Sequence, residues 1–388
     1  MNYILFDDAQ WSDLLPLTFT RPACEIRIGI LTIKEKWELR LKKNFSYISP
    51  IYLAEKFPYH ANEKQAAIYI NGRVCPDEYL AKEITKLKPS QALYQNNTLL
   101  AYCATNPNES FIGFQKIQSK TKATILHFPW DIFKNNGTEL ELDFALITKG
   151  KKSKPLSKSN KVIGKGKIFI ESGASVECAT FNTQGGSIYI GKYAVVMEGS
   201  LIRGGFALCE HSEVKMGAKI YGPTTIGPHS KVGGEINNSV IFGYSNKGHD
   251  GFLGNSVLGE WCNLGADTNN SNLKNNYAEV KAYNYTLHKM INTGLQFCGL
   301  IMGDHSKTGI NTMLNTGTVV GVNANIFGGG FPATHVPSFS WGGTDKLEKY
   351  EITKAFEVAE RVMGRRGITL TDADKEILKE VLKRTSSK

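Results

Sequence analysis

Aliphatic side chains recur at every sixth position in the middle of this chain, and this spacing restricts the fold more than any other feature. The unbroken series comprises Ile190, Val196, Ile202, Leu208, Val214, Ile220, Ile226 and Val232. A period of six fits neither an amphipathic helix nor an alternating strand of this length, but it fits a triangular parallel β-solenoid with one short strand per side. We therefore predict that these side chains fill the inside of a solenoid.

The repeat loses its phase twice after Val232. Beside the pair Gly233–Gly234 two residues are inserted, Asn246 stands at a missing step, and the next inward candidates are Val240, Phe252, Leu258 and Leu264. A second insertion, roughly residues 268–297, precedes a last run at Met302, Thr308, Leu314, Val320 and Ile326. Insertions in solenoids become loops on one face, which is often the binding face. His249 and Asn263 flank these breaks and are candidate site residues.

The rest of the chain divides around the repeat. Residues 1–148 predict an α/β domain with a Rossmann-like sheet, 149–161 a basic linker, 162–342 the solenoid and 343–388 a helical cap. Within the first domain the patterns predict strands at 3–6, 67–70, 92–94 and 99–104, and helices at 33–41 and from Asp77 to about Lys88. Ligands of such sheets bind at the carboxyl ends of strands, so the loop 7–22 is where we expect a nucleotide.

The C-terminal segment predicts two helices. Thr353 is a candidate cap for a helix that runs to about Arg366, and Thr371, with Asp374 three residues later, opens a second one through about Lys383. Apolar side chains on the first helix would cover the last coil of the solenoid: Phe356, Ala359, Val362 and Met363.

Charge and cysteine usage exclude several classes of protein. The net charge is +10, but six lysines lie in the linker, and no nucleic-acid-binding motif accompanies them. We therefore expect small anionic substrates rather than nucleic acid. No segment reads as a signal peptide or a membrane span. Seven scattered cysteines without a C-x-x-C spacing favour reduced thiols and a cytoplasmic location.

Several motifs in the solenoid follow one another in a characteristic order: Glu235–Ser239, His249, Phe252–Gly254, Asn263–Thr268 and Asn272–Leu273. They resemble the acetyltransferase half of the bifunctional glucosamine-1-phosphate N-acetyltransferase/N-acetylglucosamine-1-phosphate uridylyltransferase family. The start of the chain, D-D-A-x-W with L-P-L-T-x-T-R-P, resembles sugar nucleotidyltransferases of the Bacteroidetes type.

The resemblance implies a left-handed β-helix, a homotrimer and acetyl-CoA bound between neighbouring chains. It implies that His249 is the general base for the 2-amine of glucosamine, and imidazoles titrate in the right range for this task. Asn263 and Asn272 match substrate-binding residues, whereas Asn237 and Tyr221 stand where the family has a lysine and an arginine. Lys247 and Lys231 are candidates for neutralising phosphates.

In the first domain the usual glycine-rich phosphate loop is absent. What persists is the segment from Pro16 to Pro22, which contains Thr18 and Arg21. Together with Arg27 and Arg73, these are the candidate nucleotide contacts. Arg73 stands at the position of the usual Mg²⁺-binding aspartate, which leaves Asp7 and Asp8 as the best alternative for Mg²⁺. Nucleotidyl transfer and a degenerate sugar-nucleotide-binding module both remain open for this domain.

Two other functions share the repeat. Carbonic anhydrases of this fold bind zinc through three histidines, but here the histidines are dispersed, with no partner for His249 five residues later. A non-catalytic solenoid that only trimerises the first domain is the second alternative.

Overall fold

The computed structural model describes residues 1–62, 65–105 and 109–386. An α/β domain comes first, a parallel β-helix follows, and two helices end the described chain. None of the helices in these residues is long and apolar enough to cross a membrane. The predicted fold class is confirmed.

The α/β domain is built on one mixed sheet. Its strands, in spatial order, are Ser46–Ile48, Asn2–Phe6, Ala67–Asn71, Thr98–Ala104, Gln91–Gln95 and Gln115–Gln118. The helices are α1 (Ile33–Leu41), α2 (Glu78–Ile84) and α3 (Trp130–Thr148). Thr32 caps α1 and Asp77 caps α2 through side-chain hydrogen bonds to backbone N–H groups, as expected for these residue types. The patterns did not predict α3, which connects this domain to the β-helix.

The β-helix has three faces, which we call A, B and C. Face A contains Lys161–Ile163, Thr180–Asn182, Leu201–Arg203, Lys219–Tyr221, Glu235–Asn237 and Phe252–Gly254. Face B contains Ile168–Ile170, Ile188–Ile190, Phe206–Leu208, Thr224–Ile226, Val240–Ile241, Val257–Leu258, Ile301–Met302, Val319–Val320 and His335–Val336. Face C contains Ser175–Val176, Val195–Val196, Glu213–Val214, Lys231–Val232 and Asn246–Lys247, and continues through Asn263 to Lys307–Thr308, Asn325–Ile326 and Ser340–Gly342.

The predicted interior is confirmed for the whole series from Ile190 to Val232, all of which belong to one buried cluster. After Val232 the predicted phase is wrong. The inward positions are Ile236, Ile241, Lys247 and Leu253, and the series then rejoins the prediction at Leu258. Three steps of the inward series, from Val232 to Ile236, from Ile236 to Ile241 and from Leu253 to Leu258, are shorter than six by one or two residues, where we had predicted an insertion. Val240 and Phe252 therefore point out of the helix, although both are apolar.

Face B is covered by the first domain. The outward side chains Val240, Val257, Ile301 and Val319 belong to the same buried cluster as Trp130 and Phe133 of α3. The insertion predicted at 268–297 contains a hairpin of two strands, Lys281–Asn284 and Lys289–Asn292. Val280, just before the first strand, and Ala282, within it, belong to the same buried cluster. The first domain, the hairpin and face B thus share one apolar core.

The C-terminal helices are α4 (Ile352–Gly364) and α5 (Asp372–Ser386). Thr353 lies inside α4 rather than at its cap, because the helix begins at Ile352 with Glu351 as its N-cap. Thr371 and Asp374 form the predicted reciprocal hydrogen bonds at the start of α5. The predicted cover of the last coil is only partly right. Although Ala355 reaches the late-coil residues, Ala359 and Met363 pack on Trp261, so α4 lies along the side of the β-helix.

Candidate functional site

Aromatic rings stack along the corner between faces B and C. They belong to Tyr193, His211, His229, Tyr244, Trp261 and His305, with successive ring centroids 4.2 to 6.2 Å apart. Each of these residues has a left-handed backbone, with φ between 55° and 62°. Glycine adopts this conformation most readily, so six aromatic residues there indicate that ring stacking offsets the local strain. Helix α4 packs on this ladder at Trp261.

A cleft of about 720 Å³ lies over face C, between the aromatic ladder and the end of α4. It brings together three residues predicted from the sequence: Lys231, His249 and Asn263. The other lining residues are Lys215, Tyr244, Asn246, Gly248, Trp261, Cys262, Leu264, Gly265, Ala266, Lys307, Ile310, Val362, Arg365 and Arg366. The volume is sufficient for a ligand of cofactor size.

The floor of the cleft is a row of polar side chains in register on face C. Lys231 is aligned with Asn246, Asn246 with Asn263, and Asn263 with Lys307. The Asn246 side-chain oxygen is buried and has no hydrogen-bond partner in the described part of the chain. A ligand N–H or O–H that enters the cleft can donate to this acceptor. In the sequence, Asn246 was noted only as a polar residue at one step of the aliphatic series, and no role in a site was predicted for it.

The cleft carries a concentrated positive charge. Lys215, Lys231, Lys307, Arg365 and Arg366 line it, and no Asp or Glu is among its described lining residues. Glu213 lies beside it and accepts from the Lys231 ammonium at 2.8 Å. Burial lowers the pKa of Lys307 to about 8. Such a field favours a ligand with several negative charges.

The two arginines and Lys307 were missed by sequence reasoning. Arg365 and Arg366 lie more than 100 residues after His249, at the end of a helix that we had predicted to be only a cap. The only signal was the pair of cations at the end of the helix predicted from the sequence, which is a common helix-ending pattern. Their place in the cleft depends on how α4 packs on Trp261.

His249 lies in the corner loop between faces C and A. Its side chain is exposed, and the loop also contains Gly248 and Gly251, with φ +107° at Gly251. Lys247, predicted as a phosphate contact, instead points into the β-helix and is 1% exposed. It does not line the cleft.

Three further predicted residues lie on the other side of this corner, on or beside face A. Tyr221 and Asn237 are register neighbours on adjacent strands. Asn272 donates to the side-chain oxygen of Asn255 at 2.7 Å. None of the three lines the cleft, so within one chain the predicted substrate residues fall into two groups separated by the corner that carries His249.

The predicted nucleotide contacts of the first domain are buried against protein groups. The Thr18 hydroxyl donates to the Trp11 carbonyl at 3.0 Å, and Arg27 donates to the Ile30 carbonyl. Arg21 is 5% exposed and binds two acids of the β-helix, Asp304 and Glu260. In this structure the T-R-P segment therefore joins the first domain to the β-helix.

Arg73 occupies the strand end where a metal-binding aspartate was expected. Its guanidinium donates to Asp8, at 2.9 Å from Nε, and to the Leu126 carbonyl at 2.8 Å. Asn71 also donates to Asp8, at 2.7 Å. Both oxygens of this carboxylate thus already have donors.

Asp7 is held differently. Its Oδ1 accepts from the Ala23 N–H at 3.0 Å, and burial raises its pKa to about 7. The Asp7 Oδ2 is buried without a hydrogen-bond partner in the described residues, but the neighbouring Asp8 carboxylate is already bound by Arg73 and Asn71, whereas Mg²⁺ requires several oxygen ligands. No group of three or more His, Cys, Asp or Glu suited to a metal occurs in the residues described. The pair Asp7 and Asp8 therefore does not fit a Mg²⁺ site.

Comparison with known proteins agrees with the resemblance predicted from the sequence. Residues 3–152 match the family described as sugar nucleotidyl transferase. A bifunctional sugar-1-phosphate nucleotidylyltransferase/acetyltransferase of Sulfurisphaera tokodaii is 32% identical over 175 residues, covering 42% of this chain and 36% of the relative. The bifunctional protein GlmU of Methanocaldococcus jannaschii is 33% identical over 89 residues, 23% of this chain and 21% of that protein.

Among solved structures, a hexapeptide transferase family protein from Anaplasma phagocytophilum aligns with 58% of this chain and 93% of its own, at 14% identity and a TM-score of 0.28. The alignments with the two sequence relatives span well under two thirds of the length of each relative. Residues 3–152, less than half of this chain, are similar to sugar nucleotidyl transferases.

Proposed function

We propose that this chain, whose first domain is similar to sugar nucleotidyl transferases, is an acetyl-CoA-dependent N-acetyltransferase of an amino-sugar phosphate. The observation that carries the proposal is the cleft on face C, where five cations, two of them paired with Glu213, surround a polar floor beside the exposed imidazole of His249. Glucosamine 1-phosphate is the acceptor that the sequence resemblance suggests.

The donor would bind through its phosphates. Coenzyme A carries a pyrophosphate and a ribose phosphate, and arginines bind such groups through paired N–H donors. Arg365, Arg366 and Lys307 are the residues that we assign to them. The rings of Tyr244 and Trp261 offer an apolar wall on the same side of the cleft.

The reaction would be direct acyl transfer. The amine nitrogen of the sugar attacks the thioester carbonyl, a C–N bond forms, the C–S bond breaks, and coenzyme A leaves as the thiol. His249 accepts the proton from the amine and returns it to the departing sulfur, a form of assistance that typically contributes about 10²–10⁴-fold. Asn263 and Asn246 would orient the acceptor by hydrogen bonds.

A homotrimer is part of the proposal. Face A is not covered by the first domain, and it exposes apolar side chains, with Leu201 52% and Tyr221 40% exposed. If face A of one copy met the corner of the next, its Tyr221, Asn237 and Asn272 would approach the His249 loop of the neighbour. A cytoplasmic location is also proposed, and all seven cysteines are free thiols.

Release of the coenzyme A thiol tests the transferase. We expect thiol release from acetyl-CoA with glucosamine 1-phosphate, and a loss of at least about 100-fold in His249→Ala. His127→Ala is the matched control, because His127 is an exposed histidine of the first domain. Absence of thiol release with any amino sugar would refute the proposal and favour the non-catalytic scaffold.

A second candidate function has its own observation. A cavity of about 480 Å³ lies between the first domain, the hairpin, a late coil and α5, and it is lined by Trp11, Phe19, Tyr283, Tyr285, His335 and Arg384 among others. Aromatic walls with an arginine suit a nucleotide. This cavity favours the alternative in which the first domain binds a sugar nucleotide without transferring it.

Fluorescence distinguishes this alternative. Titration with UDP-N-acetylglucosamine should quench the fluorescence of Trp11, and the quenching should disappear in Trp11→Phe. Pyrophosphate release from UTP and a sugar phosphate would instead favour nucleotidyl transfer. Quenching that persists in Trp11→Phe would place the ligand elsewhere.

A further inference from the structure

Lys247 interrupts the apolar series inside the β-helix. It is 1% exposed, and the inward residues before and after it are Ile241 and Leu253. Its ammonium donates to the carbonyl oxygens of His249, of Asp250 at 2.8 Å and of Gly233 at 3.3 Å. These three acceptors match the three donors of an ammonium group.

Burial of this charge is unfavourable. Removing an ammonium from water carries a desolvation cost that remains large even after relaxation. Burial lowers the pKa of Lys247 to about 8, against the opposing effect of Asp250 and Asp267. An aliphatic side chain fills the neighbouring inward positions without this cost. The reason for a lysine at this position therefore lies in its hydrogen bonds, which bind the main chain of the loop that contains His249.

The same loop is supported from the preceding coil. Gly234 has φ +70°, and a Cβ built on it would lie 2.7 Å from the Gly251 oxygen and 2.9 Å from the Asp250 Cα. Only glycine leaves room for the loop at this distance. The loop thus packs against Gly234 of the preceding coil and is bound by the Lys247 ammonium from inside the β-helix, while the His249 side chain is exposed.

We propose that Lys247 is the positioning residue of His249. By turning the carbonyls of His249 and Asp250 inward, it holds the loop in the one conformation that presents the imidazole beside Asn263. The proposal rests on the proposed function in one respect only, namely that the imidazole transfers a proton.

Replacement by methionine tests the proposal, because an unbranched apolar side chain suits this inward position. In Lys247→Met we expect kcat to fall about 10–100-fold, KM for acetyl-CoA to stay within about twofold and the thermal midpoint not to fall. Leu253→Met, an inward change on the next face that leaves these carbonyls untouched, is the matched control. In a His249→Ala background, Lys247→Met should cause no further loss of activity.

Amide hydrogen exchange of residues 248–251 provides a readout that needs no activity. We expect faster exchange there in Lys247→Met and unchanged exchange in Leu253→Met. Unchanged exchange in Lys247→Met would overturn the proposal, as would an equal loss of activity in the His249→Ala background. If the wild type transfers no acetyl group, the proposed function fails, and exchange alone still decides the role of Lys247.

Discussion

Asn246 and Lys247 are neighbours on one strand of face C, and their side chains point in opposite directions. Asn246 joins the floor of the cleft, whereas Lys247 enters the β-helix. Successive side chains of a strand point to opposite faces, so one of the two residues must point inward. The period of six had predicted that Asn246 would be the inward residue. A residue's chemistry alone would always place the lysine outside. Only the shortened corners after Val232 show why it lies inside.

Asp7 provides a pH-dependent test at this scale. Burial raises its pKa to about 7, the Ala23 N–H opposes the shift, and Asp8 adds to it. Because the folded-state pKa lies above that of an unfolded aspartate, Asp7 stabilises the fold below about pH 4, and this contribution is lost as the pH rises towards 7.

We therefore expect Asp7→Asn to be more stable than the wild type at pH 8, by roughly 1–3 kcal/mol, and similar to it at pH 4. Urea unfolding at both pH values measures the difference. Asp345→Asn, at an exposed position, should show no such dependence. Equal stability of Asp7→Asn and the wild type at pH 8 would show that this carboxyl is not perturbed.

At the scale of elements, α4 is the helix that changes the interpretation of the site. Its apolar side packs Ala359 and Met363 on Trp261, and Arg365 and Arg366, which directly follow its last residue, Gly364, then line the cleft. A helix that only covered the final coil would leave the face C cleft without these two cations.

Arg366→Met tests this role. We expect KM for acetyl-CoA to rise about tenfold or more, since a charged hydrogen bond contributes about 1.5–3 kcal/mol, with little change in thermal stability. Arg361→Met is the matched control, because Arg361 lies in the last turn of α4, shortly before Arg366, and pairs with Glu357 at 3.3 Å. An equal effect of both substitutions on KM would mean that the helix acts only through its net charge.

At the scale of the whole molecule, the first domain and the β-helix are held together by buried polar contacts as well as by a shared apolar core. Arg21 binds Asp304 and Glu260 across this boundary, and the Thr20 hydroxyl donates to Asp304 at 2.6 Å. The segment that resembles a nucleotide-binding motif thus forms part of the interface between the first domain and the β-helix. Face A is exposed to solvent.

The proposed trimer is tested on that open face. Leu201→Glu places a charge on face A and should convert the trimer to a monomer, which light scattering after size-exclusion chromatography would detect. Ile51→Glu is the control, because Ile51 is 87% exposed on the first domain. A trimer that survives Leu201→Glu would exclude face A as the interface, and a monomeric wild type would refute the trimer itself.

Local patterns in the sequence determined much of this protein. The six-residue period predicted the β-helix and its interior from Ile190 to Val232, and the capping pattern predicted α1 from Ile33 to Leu41. Both signals come from neighbouring residues along the chain, which is why they can be read without a structure. The order of motifs around His249 likewise located one end of the cleft.

Only the tertiary structure decided which distant residues meet. Arg21 reaches Asp304, Met363 reaches Trp261, and Arg366 enters the cleft of His249, across separations of about 100 to 280 residues. No periodic pattern encodes such contacts, because they depend on how completed elements pack against one another. The same holds for Lys247, whose direction follows from the length of two corners and the side of the strand on which it falls.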